Sequence, residues 1–141
     1  MKIGVIGAGT WGTALSQVLA ENGNNVVLWH YREEVAKVLQ SSRLHVNLPT
    51  SPLNDLIKVT SSLSDLPENS PLLIAIPTHS FHSVLPDFSE LNPSIVICAS
   101  KGIENDTGLL MSDLISKLMN ISGYKIVALS GPSHAEEVYN K

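Results

Sequence analysis

A chain of 141 residues, 43% hydrophobic and 16% charged, has enough apolar material for one core and too little length for two full domains. That balance excludes the polar, highly charged composition of a disordered chain, and a formal net charge of -4 excludes a general binder of nucleic acid, whose affinity rests on Lys and Arg. Any phosphate recognition must therefore be local. No apolar run approaches the roughly 20 residues that cross a bilayer. Met1-Lys2 leads directly into a glycine-rich motif rather than a signal sequence, so no membrane insertion and a cytoplasmic location are expected. Cys98 is the single cysteine, which removes internal disulfides and cysteine-based zinc sites, and its apolar strand context predicts a buried thiol that is not a nucleophile.

Short apolar runs rich in β-branched residues alternate with longer stretches of helical period, the pattern of βα units around a parallel sheet. In chain order, Lys2 to Ile6 reads as the first strand, and Trp11 to Asn22 as a helix whose Leu15, Val18 and Leu19 recur at i, i+3 and i+4, closed by Gly23. Val26 to Trp29 is a second strand, Arg32 to Gln40 a second helix and Ile57 to Thr60 a short third strand. Ser41 to Asn54 has weak periodicity and carries Pro49 and Pro52, so it reads as a connecting loop. Leu72 to Ile76 and Ile95 to Ala99 are strands four and five, Leu109 to Met119 is a helix, and Ile126 to Leu129 is a sixth strand ending in Ser130-Gly131-Pro132. The expected fold is α/β: a Rossmann-like, doubly wound, mainly parallel sheet with flanking helices across residues 1–141. Ser133 to Lys141 reads as the start of a further helix with no element after it, an ending that looks truncated.

The strongest chemical signal is Gly7-Ala8-Gly9-Thr10-Trp11-Gly12, a GxGxxG that begins where the first strand ends and a helix starts. Gly7 suits the tight turn, Gly9 lets backbone approach a pyrophosphate with no Cβ in the way, and Gly12 allows helix and sheet to pack closely. The helix amino terminus then faces the phosphate. Its unpaired N–H groups and positive dipole end stabilise the anion without a basic side chain. The motif points to a dinucleotide, NAD or NADP. About twenty residues onward, where an acid commonly holds the ribose 2′-hydroxyl, the chain has His30-Tyr31-Arg32. Arg32 either faces a 2′-phosphate or stacks on the adenine, or else is a solvated residue before a helix whose first turn carries Glu33 and Glu34. Cofactor choice stays open between these.

Lys101 follows the carboxyl end of strand five, where ligands of open α/β sheets collect. An ammonium there attracts a phosphate or polarises a carbonyl; the alternative is an exposed loop lysine. Ser133 is placed to cap a helix with Glu136 completing a capping box, and such a helix start also offers N–H donors to an anionic or hydroxyl-bearing ligand. His79 and His82 stand at i and i+3 without a further ligand cluster, so no metal site is expected.

Gly7-Ala8-Gly9-Thr10-Trp11-Gly12-Thr13-Ala14-Leu15 resembles the opening of bacterial-type glycerol-3-phosphate dehydrogenases. Three later segments resemble that family in the same order: Ala75-Ile76-Pro77-Thr78-His79-Ser80-Phe81, Ser100-Lys101-Gly102-Ile103-Glu104 and Leu129-Ser130-Gly131-Pro132-Ser133. The resemblance implies that Thr10, Trp11 and Arg32 join the glycines at the dinucleotide, that Phe81 packs near the nicotinamide end, and that Lys101 lies between nicotinamide and substrate. It further implies that Gly131 and Ser133 line the substrate and that Ala135 returns to the cofactor; His134 departs from the family's usual residue. The implied activity is reversible hydride transfer between dihydroxyacetone phosphate and sn-glycerol 3-phosphate, supplying the latter for phospholipid synthesis, by a full-length homodimer. In the family the proton-handling lysine lies in a helical second domain. No catalytic residue is therefore expected in this chain, which alone should bind cofactor without turnover. The remaining readings are another hydroxy-acid or sugar-nucleotide dehydrogenase, and an NAD(P)-sensing module without chemistry.

Overall fold

A computed structural model describes residues 1–104, 107–131 and 134–140. Its strands are β1 (Lys2–Ile6), β2 (Asn25–Trp29), β3 (Ile57–Thr60), β4 (Leu72–Ile74), β5 (Val96–Cys98) and β6 (Ile126–Ala128). The helices are α1 (Thr10–Glu21), α2 (Glu33–Ser42), α3 (Phe81–Val84), α4 (Met111–Met119) and α5 (Ala135–Asn140). All six strands pair in parallel, in the order β3-β2-β1-β4-β5-β6. This is the doubly wound sheet expected from the alternation of short apolar runs with helical stretches. Chain order runs outward from β1 to β3 and then returns to β4 on the other side of β1, so the topological switch point lies between β1 and β4, with Ile6 level with Ile74.

Alternation along the strands sends side chains to two cores. Ile3 and Val5 of β1, Val26 and Leu28 of β2, and Ile57 and Val59 of β3 pack with Ala14 and Ala20 of α1, Ala36 and Leu39 of α2 and Tyr139 of α5. Ile6, Trp29, Leu72, Ile74, Val96 and Cys98 point the other way, onto Phe81, Phe88 and the α4 residues Leu114, Ile115 and Met119. Cys98 is a buried thiol, as its strand context predicts, and burial raises its pKa above the ordinary value.

Three sequence-based expectations change. The Leu15, Val18 and Leu19 stripe does not form the most buried face of α1; that face is Gly12, Thr13, Ala14, Ser16, Gln17 and Ala20, because a helix lying close on a sheet needs small side chains beneath it. Leu15 and Leu19 are instead half-buried at the margin of the first core, as are Ala135 and Val138 of α5, the helix that packs on α1. Residues 78–91, given no element above, form a 3₁₀ turn, α3 and a second 3₁₀ stretch, which bury Phe81, Leu85 and Phe88 completely or almost so. Finally, the connecting loop expected from Ser41 to Asn54 begins only after Ser42, where α2 ends, and side-chain bonds pin it. Arg43 takes a left-handed conformation to end α2, and its guanidinium donates to the carbonyls of Asn54 at 2.6 Å and Ile57 at 2.8 Å. Tyr139 Oη donates to Ser51 O at 2.8 Å, tying the same segment to α5.

The β1–α1 turn tolerates almost no added atom. A Cβ on Gly12 would sit 1.8 Å from the carbonyl oxygen of Gly7 and 3.3 Å from Cβ of Ala75. Gly12→Ala is expected to lose about 3 kcal/mol or more of stability, because the obstructing atom is backbone and cannot swing aside. Chemical denaturation followed by tryptophan fluorescence checks this; a variant as stable as the wild type would contradict the packing.

Candidate functional site

The carboxyl ends of β1 and β4 lie side by side at the glycine-rich turn. Gly7 has φ +109°, and a Cβ there would meet the Ala75 carbonyl oxygen at 2.4 Å, while the Ala75 N–H donates to Ile6 O at 2.8 Å. Gly7 is thus demanded by the chain itself. Gly9 is not: its φ of -77° and ψ of -178° are ordinary extended values, and a Cβ would meet nothing within 4 Å. The chain imposes no need for glycine at the exposed position before α1, which is the cradle that a close-approaching ligand would use.

The amino terminus of α1 suits an anion. Its first helical bond runs from Thr13 N–H to Gly9 O at 2.9 Å, which leaves the N–H groups of Thr10, Trp11 and Gly12 without a carbonyl one turn back. Gly9 provides no side-chain cap, and the first turn has no acid, whereas α2 opens with Glu33 and Glu34 and α5 with Glu136 and Glu137. The first turn of α1 therefore sets no carboxylate of its own against its positive dipole end, although Glu136 of α5 lines the cleft on which that end opens.

Two clefts meet over this turn and share Gly9, Ala75, Ile76 and Pro77. One, of 530 Å³, adds Thr10, Trp11, Ser100, Lys101 and Ala135, so five of the residues assigned from sequence converge there with Gly9 counted. Trp11 Nε1 donates to Ala99 O at 3.3 Å, holding the indole across the end of β5. Lys101 is exposed, and its Nζ donates to Gly131 O at 3.0 Å, which brings the expected substrate pair together. The other cleft, of 730 Å³, runs past Gly7 to His30, Tyr31 and Ser80. There the His30 and Tyr31 rings stack at 4.9 Å between centroids, and the Arg32 guanidinium lies 5.0 Å from the Tyr31 centroid. Burial, the largest influence, lowers the His30 pKa, and the Arg32 charge acts in the same direction against a backbone hydrogen bond. A larger concavity of 880 Å³ sits at the opposite, amino-terminal end of the strands around Lys2 and Asn25, away from the glycine-rich turn.

Phe81, expected near the nicotinamide end, has no accessible surface and belongs to the core that holds Ile74, Leu85 and Phe88. Ser133 and its proposed capping box lie outside the described residues. His82 pairs with Glu104 and, among the described residues, no group of three or more His, Cys, Asp or Glu side chains gathers as metal ligands do. Sequence reasoning gave no role to Ser100, whose Oγ donates to Ile76 O at 2.6 Å and joins the ends of β4 and β5. It also passed over Asn47, which donates to Thr10 Oγ at 3.2 Å from a segment read only as a connection. Neither had a spacing signal, because both act across the sheet.

Residues 2–141 match the family described as NAD-dependent glycerol-3-phosphate dehydrogenase N-terminus. The chain belongs to this family. It is 41% identical over 138 residues to a glycerol-3-phosphate dehydrogenase [NAD(P)+] of Erythrobacter litoralis, covering 97% of this chain and 41% of that protein. In three dimensions it resembles the glycerol-3-phosphate dehydrogenase of Coxiella burnetii, with a TM-score of 0.84 and 27% identity over 99% of this chain and 43% of the other. The chain thus spans less than half the length of these relatives. A sugar-nucleotide dehydrogenase, the UDP-D-ManNAc enzyme of Pyrococcus horikoshii, shares the fold at a TM-score of 0.71 and 22% identity over 91% of this chain and 35% of that one. In this family setting, the open cradle at Gly9 fits the pyrophosphate of a dinucleotide.

Gly9→Ala should separate folding from binding. The variant is expected to match wild-type stability yet bind NADH about ten- to a hundredfold more weakly, the worth of one charge-assisted hydrogen bond. Paired thermal melts and NADH titrations measure both, and equal affinity would remove Gly9 from the binding surface.

Proposed function

We propose that the protein carrying this chain interconverts sn-glycerol 3-phosphate and dihydroxyacetone phosphate with NAD(P), and that this chain supplies the cofactor site and part of the substrate site. The observation that carries the reading is the convergence, on one cleft, of the open Gly9 cradle, Trp11, Lys101 and Ala135. Family membership narrows the chemistry that such a cleft serves.

In this reading the N–H groups at the start of α1 hold the pyrophosphate, Tyr31 and Arg32 meet the adenosine end, and Trp11 and Ala135 border the nicotinamide end. A nicotinamide held there would supply or accept the hydride at the substrate carbon that alternates between carbonyl and carbinol. Lys101 attracts the substrate's phosphate or carbonyl oxygen with its ammonium, while the Gly131 carbonyl that it now contacts keeps that ammonium at the mouth of the cleft. Ser133 completes the substrate wall. The proton of the developing alkoxide is handled by a lysine in a helical domain downstream of this chain. The same reading gives a cytoplasmic, homodimeric enzyme that supplies glycerol 3-phosphate for phospholipid synthesis.

Full-length protein should oxidise NADH or NADPH when given dihydroxyacetone phosphate, followed by nicotinamide absorbance. Lys101→Ala should lower kcat/KM about a hundredfold, the scale of losing one preorganised charge-stabilising group. No turnover of this substrate by the folded full-length protein would refute the assignment. Arg32→Ala addresses cofactor choice: affinity for NADPH should fall about tenfold more than affinity for NADH, the worth of a charged contact to the 2′-phosphate. Equal losses for the two cofactors would assign Arg32 to stacking on the adenine.

A further inference from the structure

Lys101 sits on a short span between two anchors, Ser100 and Glu104. On the amino side, Ser100 Oγ donates to Ile76 O at 2.6 Å. On the carboxyl side, His82 Nε2 donates to the carboxylate of Glu104. Both partners belong to the segment that follows β4: Ile76 comes just after the strand, and His82 lies on α3, which Phe81 and the adjoining Leu85 fix in the core with no accessible surface. The rest of Glu104 is bonded within its own loop. Its N–H donates to Leu109 O and its carbonyl accepts from the Gly108 N–H, each at 2.9 Å, while Thr107 Oγ donates to its second carboxylate oxygen. Ile103 and Leu110 form an antiparallel bridge beside it. The loop thus closes on itself before α4 begins, and His82 ties the closed loop to α3.

We propose that Glu104 and His82 are positioning residues for the reaction: through the loop that carries Lys101, they hold its ammonium at the mouth of the cleft where the substrate's phosphate or carbonyl oxygen arrives. The inference rests on the function proposed above and adds to it two residues that line neither of the clefts over the glycine-rich turn. The Glu104 side chain is 11% exposed, so it is not a freely solvated member of a surface pair. The Thr107 hydroxyl bond, and after it the His82 bond, hold its carboxyl below the ordinary carboxylate value, which keeps a charged acceptor on the loop. With tethers on both sides of Lys101 reaching one rigid segment, the backbone beneath the lysine is fixed. Without the second tether the lysine would swing on a loop held at one end only. A reacting group displaced by about 1 Å loses up to about a hundredfold in rate.

The test uses full-length protein and the steady-state reduction of dihydroxyacetone phosphate by NADH. Glu104→Ala and His82→Ala should each lower kcat/KM about tenfold, the scale of one charge-assisted hydrogen bond. Glu104→Gln and His82→Gln, which keep an acceptor and a donor in those places, should recover most of the loss. The deciding comparison repeats both Ala substitutions in Lys101→Ala protein. There neither should lower kcat/KM by more than about twofold, because no ammonium is left to position. Calorimetry of sn-glycerol 3-phosphate added to the NADH-loaded protein, a complex with no hydride acceptor, should show the same pattern in affinity without turnover. Equal losses with and without Lys101, or unchanged kcat/KM in the folded Ala variants, would overturn the proposal; if Glu104→Ala does not fold, the variants of the exposed His82 decide alone. Absence of turnover in a wild type that binds NADH would overturn the proposed reaction, and the positioning role with it.

Discussion

The fold turns on how closely the β1–α1 connection approaches β4. At Gly7 a Cβ would sit 2.4 Å from the Ala75 carbonyl oxygen, and at Gly12 one would sit 1.8 Å from the Gly7 carbonyl oxygen. These are contacts between backbone groups, so no side-chain rearrangement relieves them. Because the turn is this tight, α1 starts immediately over the end of the sheet and its lower face must be small. The row of Gly12, Thr13, Ala14 and Ser16 follows from that geometry, as does the half-buried position of Leu15 and Leu19 at the margin of the core.

The same constraint aims the amino terminus of α1 into the gap at the switch point. Among the longer helices that begin at this end of the sheet, α2 opens with Glu33 and Glu34 and α4 has Asp113 in its first turn, and the short α5 opens with Glu136 and Glu137. Those acids compensate the helix dipole internally. α1 has none, so its partial positive charge is available to an external anion. A chain of net charge -4 can in this way recognise a phosphate without a basic surface.

Around the crevice, side-chain and backbone bonds hold segments that are distant in sequence. Trp11 to Ala99, Ser100 to Ile76, Lys101 to Gly131 and Asn47 to Thr10 each join the end of one βα unit to another. Such cross-links keep the walls in register while leaving the Gly9 position open. They are also the part of the site that a linear reading misses, since their partners are between 24 and 88 residues apart.

Sequence by itself determined the six strands, their parallel sheet and the glycine turn, because each is a local matter: alternation and β-branching define a strand, and a missing Cβ defines the turn. The family resemblance, rather than the residues alone, assigned Trp11, Lys101, Gly131 and Ala135 to one site; Trp11, Lys101 and Ala135 line one cleft and Lys101 reaches Gly131. Phe81, Leu85 and Phe88 recur at i, i+4 and i+7, so the helical character of residues 78–91 was legible too, hidden by the Pro77 and Pro86 that flank and interrupt it. Only the tertiary structure decided which face of α1 is inside, that Phe81 is core, and that the stretch around His45 closes on the glycine-rich turn. Those outcomes depend on how near two elements come, and that distance is set by the packed chain as a whole rather than by the residues of either element.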